Sequence, residues 1–237
     1  MRVVSLVPSA TETLLAFGIA PIACTRFCEQ PDLPTVGGTK DPDVTAISSL
    51  KPDLVVVNDE ENRLEDVDRL RNLGVPIHEM SPRSVAEVGP AVAALAEAVG
   101  AEVPEPFGRT AWGMWLDAHR RPPEGAPRRA FVLVWRRPWM TLAGDTYGSS
   151  LLDLLGCFNV FTGQGVRYPT VELAEAAGRK PDLVLLPTEP YPFKERHVAE
   201  VTEGIPHAEV TIVDGQDLFW WGIRTPGAVE RLARVVG

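Results

Sequence analysis

Large aromatic side chains in the second half of the chain are the residues best suited to binding chemistry. Four of the six tryptophans lie there, and two of them, Trp220 and Trp221, are adjacent, with Arg224 shortly after them. In an extended segment adjacent side chains point to opposite faces, so we expect one ring in the core and the other on a binding face. We favour Trp221 as the exposed ring and keep Trp220 as the alternative. Such a face predicts an apolar site for a large, flat ligand.

Arg224 has three interpretations. It could contact polar groups on the rim of that ligand, cap the end of a helix, or pair with Asp217. Because "TP" follows it and suits the start of a helix, a role at a helix C-terminus is the weakest of the three.

Catalytic and metal-binding signatures are weak. The histidines show no pair at the i, i+3 or i, i+4 spacing that compact metal sites use, and no nucleotide-binding or hydrolase motif occurs. A metal held by His78, His197 and a carboxylate, and a nucleophile at Cys28, stay as minor alternatives. The few cysteines do not make a disulfide framework, although Cys24 and Cys28 could pair. We therefore expect a non-catalytic protein with no cofactor or metal of its own.

Composition narrows the class of partner. The chain has 237 residues, a net charge of −9 and a pI near 5.0. This acidity disfavours binding to nucleic acid or to an anionic membrane through bulk charge. No apolar run approaches the roughly 18 residues that a membrane span needs. The first residues show no export signal and instead predict a strand, so a cytoplasmic location stays open.

An internal echo predicts the fold. "KPDLVVV" at residues 51–57 recurs as "KPDLVLL" at residues 180–186. A short, uninterrupted apolar run is typical of a strand buried on both faces of a parallel sheet. Because similar helix and strand patterns surround both copies, we predict an α/β protein with two Rossmann-like lobes of similar plan.

The division between the lobes is predicted from an aromatic helix and a linker. Phe107, Trp112 and Trp115 recur near helical spacing, which predicts one long bridging helix at residues 105–121. "PPEGAPRR" follows it and is typical of a linker. We thus predict an N-terminal lobe at residues 1–104 and a C-terminal lobe at 122–237, with a stiff connection and limited closure.

The ends of the predicted strands indicate where a site would form, because parallel α/β sheets bind ligands beyond the carboxyl ends of their strands. After the first strand, Ser9 and Glu12 match the S-x-x-E capping box, so Ser9 is expected to cap a helix at residues 11–17. That helix N-terminus could also receive a polar group of a ligand. Acidic residues follow the two echoed strands, and most are expected to form solvated helix faces. One carboxylate from each lobe could instead dock onto a basic partner.

Several segments together resemble a known family. They include "RVVSLVPSATETLLAFG", "ISSLKPDLVVV", "GDTYGSSLLDLLGCFNVF", "YPTVELAEAAGRKPDLVLLPTEPYPF" and the closing W-x-G-x-R. In this order they resemble the substrate-binding proteins of ABC importers for cobalamin and ferric siderophores, which have the helical-backbone metal-receptor fold, and they are most similar to the cobalamin-binding branch. The resemblance implies a monomer, periplasmic or at the cell surface, that holds cobalamin or a related corrinoid in a cleft between two lobes and delivers it to an ABC permease.

The resemblance also implies site residues. Members stack aromatic side chains on the corrin and bind its amides from loops of both lobes. The matching positions in this sequence are Pro8, Ser9, Phe27, Trp139, Tyr168, Tyr191, Phe193, Trp221 and Arg224. Asn58 stands where a cobalamin binder has a tryptophan, and Trp220 is the candidate to replace that ring. The resemblance further implies docking carboxylates at Glu65, or Glu61 in its place, and Glu195.

Two other functions stay open. Haem or a ferric siderophore would need converging basic groups, and the candidates near strand ends are Arg26, Lys40, Arg136, Arg137 and Arg224. An enzyme that modifies a tetrapyrrole is the third hypothesis, and the lack of a clustered His–Glu pair counts against it.

Overall fold

A computed structural model describes residues 1–121 and 125–236 of the chain. These residues form two compact units. The N-terminal unit consists of Met1–Pro82, Glu87–Trp112 and Trp221–Arg224. The C-terminal unit consists of Arg83–Ala86, Gly113–Trp220 and Thr225–Gly237.

The N-terminal unit is built on a four-stranded parallel sheet with the order β2-β1-β3-β4. Its strands are β1 (Val3–Ser5), β2 (Ala23–Cys24), β3 (Leu54–Val57) and β4 (Ile77–Glu79). The helices of this part of the chain are α1 (Pro8–Ala16), α2 (Val44–Ser49), α3 (Leu64–Asn72) and α4 (Val85–Val99). Apolar side chains of the strands pack against α2 and α3, where Ile47 and Leu70 are fully buried.

Among the described residues of the C-terminal unit, five strands form a sheet in which β5 and β6 are antiparallel and the other pairs are parallel. Its strands are β5 (Arg128–Trp135), β6 (Met140–Thr141), β7 (Cys157–Asn159), β8 (Leu183–Pro187) and β9 (Glu209–Val213). The helices are α5 (Arg109–His119), α6 (Tyr147–Leu154), α7 (Leu173–Gly178), α8 (Glu195–Gly204), α9 (Gly215–Phe219) and α10 (Thr225–Val236). The two parallel-type α/β units confirm the predicted fold class. None of the helices in the described ranges is long and apolar enough to span a lipid bilayer.

The echoed segments have the same backbone conformation. Each forms a fully buried central strand, β3 in one sheet and β8 in the other. Lys51 and Lys180, at corresponding positions before these strands, have left-handed φ angles of 47° and 49°. A left-handed residue directly after a helix is a common way to end it. The repeated sequence therefore encodes the same turn from helix to strand twice.

The echo extends to a reciprocal pair of hydrogen bonds. In the N-terminal unit the amide of Arg2 donates to the Asp53 carboxylate at 2.6 Å, and the amide of Asp53 donates to the Arg2 carbonyl at 2.8 Å. Arg129 and Asp182 make the same two bonds, at 2.9 and 2.8 Å, in the C-terminal unit. The aspartate of each K-P-D segment thus fixes the start of its strand against the neighbouring strand.

The predicted bridging helix is shorter in the structure. Helix α5 begins at Arg109, and the ring of Phe107 before it stacks on Trp112, with centroids 5.0 Å apart. The boundary between the two compact units falls inside α5, after Trp112. Part of the predicted linker, residues 122–124, lies outside the described residues, and the division at residues 105–121 stays a prediction.

The predicted helix cap at Ser9 is wrong. Helix α1 begins at Pro8 with Val7 at its N-cap and without a side-chain cap. Proline suits the first helical position because its φ is already close to the helical value and it has no amide proton to satisfy. Ser9 therefore lies inside the helix, where it is buried, and Glu12 has a different partner.

Candidate functional site

Aromatic rings from the ends of β5 and β8 meet in the C-terminal unit. Trp139 follows β5, and Tyr191 and Phe193 follow β8. The rings of Trp139 and Phe193 are nearly parallel, at 5° and 6.4 Å, and Tyr191 lies 4.8 Å from Phe193. Trp135 meets Tyr191 edge-on at 5.5 Å. The structure thus brings together three of the predicted site residues and adds Trp135 to them.

Exposure separates these rings into two roles. Trp139 and Tyr191 are half-buried, whereas Phe193 is only 2% exposed and belongs to the hydrophobic core of the unit. Trp135 is 42% exposed because it ends the strand. Phe193 therefore supports the rings of Trp139 and Tyr191, which retain free surface.

Arg136 holds this aromatic group from one side. Its guanidinium donates two hydrogen bonds to Glu200 of α8, at 2.9 and 2.8 Å, and its Cζ lies 5.5 Å from the centre of the Trp139 ring. The bond from Arg136 lowers the pKa of Glu200 below its ordinary value, so this carboxyl group is ionised at neutral pH. Sequence reasoning missed Glu200, because no local pattern marks a partner 64 residues from Arg136.

His197 lies in the first turn of α8 and packs against two of these rings. It is 3% exposed, and it meets Tyr191 and Phe193 edge-on at 5.6 and 5.5 Å. Its Nδ1 accepts a hydrogen bond from the amide of Lys194, which caps the helix. Burial lowers the pKa of His197, which favours the neutral ring that this bond requires.

The metal alternative gains no support from these positions. The Nδ1 atom of His197 is engaged in the cap of α8. Within the described ranges, no cluster of three or more histidine, cysteine or acidic side chains is placed to hold a metal ion.

The N-terminal unit presents one exposed ring among its predicted site residues. Phe27 is 50% exposed, and the guanidinium of Arg26 lies 4.9 Å from the centre of its ring. Arg26 is also paired with Asp41 at 2.9 Å. Pro8 and Ser9 are both buried in the first turn of α1. Phe27 is thus the accessible member of this set.

Asn58, which stands where an aromatic residue was expected, has a structural role. It is 4% exposed, and its side-chain NH₂ group donates to the carbonyl of Met80. Its side-chain oxygen accepts from the backbone amides of Glu60 and Glu61. Asn62 in turn accepts from the amide of Asn58 at 2.9 Å. These bonds hold the loop after β3 in place, so Asn58 stabilises the loop instead of offering a ring to a ligand.

The segment from Trp220 to Arg224 departs from the expectation in two ways. Trp221 is 5% exposed and Trp220 is half-buried, so the expectation that Trp221 is the exposed ring is wrong. Residues 217–219 are helical, as part of α9, and the loop begins after them. Trp220 belongs to the C-terminal unit and Trp221 to the N-terminal unit.

Arg224 pairs with Glu12 of α1 through two hydrogen bonds of 3.0 and 2.8 Å, and both residues belong to the N-terminal unit. The carboxylate of Asp217 is bound by Arg231 through two hydrogen bonds of 2.7 Å. The remaining predicted ligand residue, Tyr168, is half-buried in the loop after β7.

The predicted docking carboxylates occupy corresponding positions. Glu65 lies in the first turn of α3, after β3, and Glu195 begins α8, after β8. Both are exposed, whereas Glu61 is partly buried in the loop before α3.

Comparison with known proteins gives the class of the chain. Residues 3–198 match the model of a family described as periplasmic binding protein, and the chain belongs to this family. A vitamin B12-binding protein of Vibrio cholerae is 23% identical over 246 residues, which cover 99% of this chain and 87% of that protein. A vitamin B12-binding protein of Yersinia pestis is 28% identical over 196 residues, or 78% of this chain and 69% of that protein.

Solved structures share the fold. The periplasmic vitamin B12 binding protein BtuF of Vibrio cholerae matches with a TM-score of 0.81 and 24% identity, covering 99% of this chain and 96% of that one. The periplasmic haem-binding protein HutB of the same organism also matches with a TM-score of 0.81, at 19% identity and 99% and 98% coverage. The fold is therefore shared by proteins named for two different tetrapyrroles, and it does not choose between them.

Proposed function

We propose that this protein binds cobalamin, or a related corrinoid, and delivers it to an ABC importer. The observation that carries the proposal is the pairing of arginines near the strand ends with carboxylates of their own unit. Arg136 is bound by Glu200 and Arg224 by Glu12, each through two hydrogen bonds. A ligand that carries anionic groups would have to compete with these carboxylates.

The chemistry of a corrinoid suits such a surface. Its periphery carries neutral amide side chains, which need hydrogen bonds and no unpaired cation. The half-buried rings of Trp139 and Tyr191 supply apolar faces for its macrocycle. Pro8, Ser9, Tyr168, Trp220 and Trp221 stay in the proposed binding set as predictions. Phe193 supports the site by stacking on Trp139, whereas Arg224 pairs with Glu12.

Haem is the second candidate. Several relatives of the same fold are named haem-binding proteins, and Arg137, beside Arg136, is exposed. A haem ligand would need a cation for each of its propionate carboxylates. The engagement of Arg136 and Arg224 with glutamates is the reason for placing cobalamin first.

Delivery to an importer is proposed from the family and from two carboxylates. Glu65 and Glu195 are exposed at corresponding helix starts, one in each unit, where they could meet basic residues of a permease. Such a role places the protein outside the cytoplasm, as the name of the family implies. The family and the relatives above are binding proteins, which supports a role without catalysis.

Calorimetric titration tests the ligand. Purified protein is titrated separately with cyanocobalamin and with haem, and each titration is repeated in the presence of the other compound. The proposal expects saturable binding of cyanocobalamin at one site, with weaker binding of haem. Absence of heat and of any thermal stabilisation at an excess of cyanocobalamin would refute it.

A further inference from the structure

We propose that Glu200 determines ligand specificity: its carboxylate occupies the guanidinium of Arg136 and so keeps the face formed by Trp139 and Tyr191 selective against ligands that carry a carboxylate. The inference rests on the proposed function in taking this face as part of the binding site. It adds a residue of α8 that does not itself belong to the predicted binding set.

The geometry places the ion pair directly beside the face. Both bonds between Arg136 and Glu200 are short, and the side chain of Arg136 is 17% exposed while that of Glu200 is 39% exposed. An open cavity of about 270 Å³ borders both partners. Its lining residues are Arg136, Arg137, Pro138, Trp139, Glu172 and Glu200. A side group of a ligand resting on Trp139 could therefore reach the pair.

Charge explains the selectivity. Arg136 uses its Nε and one terminal nitrogen on Glu200, which is the planar two-bond arrangement that a ligand carboxylate would also need. An arriving carboxylate would displace Glu200 or lie beside its negative charge, and both are unfavourable. A neutral amide group meets no such repulsion. The same aromatic face thus accepts a ligand rimmed with amides and resists one rimmed with carboxylates.

Glu200→Gln isolates this effect because it removes the charge and nearly preserves the shape. The guanidinium of Arg136 then carries an unbalanced positive charge next to Trp139. We expect affinity for haem to rise about fivefold, the size of a partly exposed ion pair, and affinity for cyanocobalamin to change less than about twofold. Haem dimethyl ester, which has no free carboxylate, should gain nothing.

Matched controls separate the local charge from net charge and from folding. Glu203→Gln removes an exposed charge from the same helix, and it should leave affinity for haem unchanged. The double variant Arg136→Met, Glu200→Gln removes the freed cation and should return haem affinity to the wild-type value. Thermal unfolding verifies that each variant is folded, and Glu200→Ala, which removes the same charge, substitutes for Glu200→Gln if that variant does not fold.

The outcomes are distinct. A gain for haem that appears only in Glu200→Gln and vanishes with the ester supports the inference. An equal gain in Glu203→Gln, an equal gain for the ester, or no binding of haem by any variant overturns it. If the wild-type protein fails to bind cyanocobalamin while Glu200→Gln still gains affinity for haem, the proposed function fails and the role of Glu200 stands.

Discussion

Arg224 donates two hydrogen bonds to the carboxylate of Glu12, a residue 212 positions earlier in the chain. Both side chains are mostly buried, at 19% and 32% exposure. The pair ties the segment after α9 to helix α1 within the N-terminal unit. The same segment is held by the amide of Ile223, which donates to Thr13 of α1 at 3.3 Å. Arg224, which resembles a ligand-binding residue in the sequence, thus holds this segment against α1.

Breaking the ion pair between Arg224 and Glu12 should destabilise the protein. Glu12→Gln removes the negative charge from the side chain that accepts both hydrogen bonds of the mostly buried Arg224 guanidinium, and we expect the free energy of unfolding to fall by about 1–2 kcal/mol. Urea denaturation followed by circular dichroism measures this. Asp153→Asn is the matched control, because its pair with Arg120 is exposed at 77% and 59%, and its loss should cost less than about 0.5 kcal/mol. Equal stability of the two variants would contradict a stabilising role for the pair of Arg224 and Glu12.

Asn58 should be important for stability rather than for ligand affinity alone. Asn58→Ala removes the side chain that bonds the carbonyl of Met80 and two loop amides, and the expected loss is about 1–3 kcal/mol of unfolding free energy. Asn72→Ala, at the exposed end of α3, is the control and should change stability by less than about 0.5 kcal/mol. A wild-type melting temperature in Asn58→Ala would show that the loop does not depend on this side chain.

Alkaline pH should destabilise the fold through buried thiol and phenol groups. Burial raises the pKa of Cys24 to about 12 from its ordinary value of 9.0, and burial also raises the pKa of Tyr147. Between these values the unfolded chain releases a proton that the folded state keeps, so stability falls as pH rises. Melting temperatures from pH 8 to about pH 11 should decline, and less steeply in Cys24→Ala. Parallel slopes would exclude a contribution from Cys24.

The fold was predictable from the sequence because its main signals are local. The K-P-D segments before β3 and β8 carry the turn, the strand start and the buried strand within a few residues of each other. Lys51 and Lys180 accordingly adopt the same left-handed conformation. The start of α1 was missed for an equally local reason, because Pro8 prevails over the capping pattern of Ser9 and Glu12.

The site was predictable only in part, because its partners are distant in sequence. The family resemblance placed Trp139, Tyr191 and Phe193 in one binding site, and the structure brings their rings together. Neither the burial of Trp221 nor the pairing of Arg136 with Glu200 leaves a local pattern. Both depend on tertiary contacts that composition and spacing do not encode.

The docking proposal predicts that binding and delivery separate. Glu65→Ala combined with Glu195→Ala removes two exposed carboxylates, so affinity for cyanocobalamin should stay within about twofold of wild type. Uptake through the reconstituted importer should fall at least about tenfold, because charge pairs guide such docking. Glu203→Ala, an exposed change on the same helix as Glu195, is the control. Unchanged uptake by the double variant would remove both glutamates from the docking surface.

The proposal that Trp139 forms part of a cobalamin site is tested by measuring affinity for cyanocobalamin in two tryptophan variants. Trp139→Leu removes a half-buried ring from the proposed face, whereas Trp115→Leu removes an equally large, half-buried ring from α5. We expect the wild-type protein to bind cyanocobalamin, Trp139→Leu to bind it about tenfold more weakly, and Trp115→Leu to retain wild-type affinity. Equal affinity in all three proteins, or no binding by the wild-type protein, would contradict it.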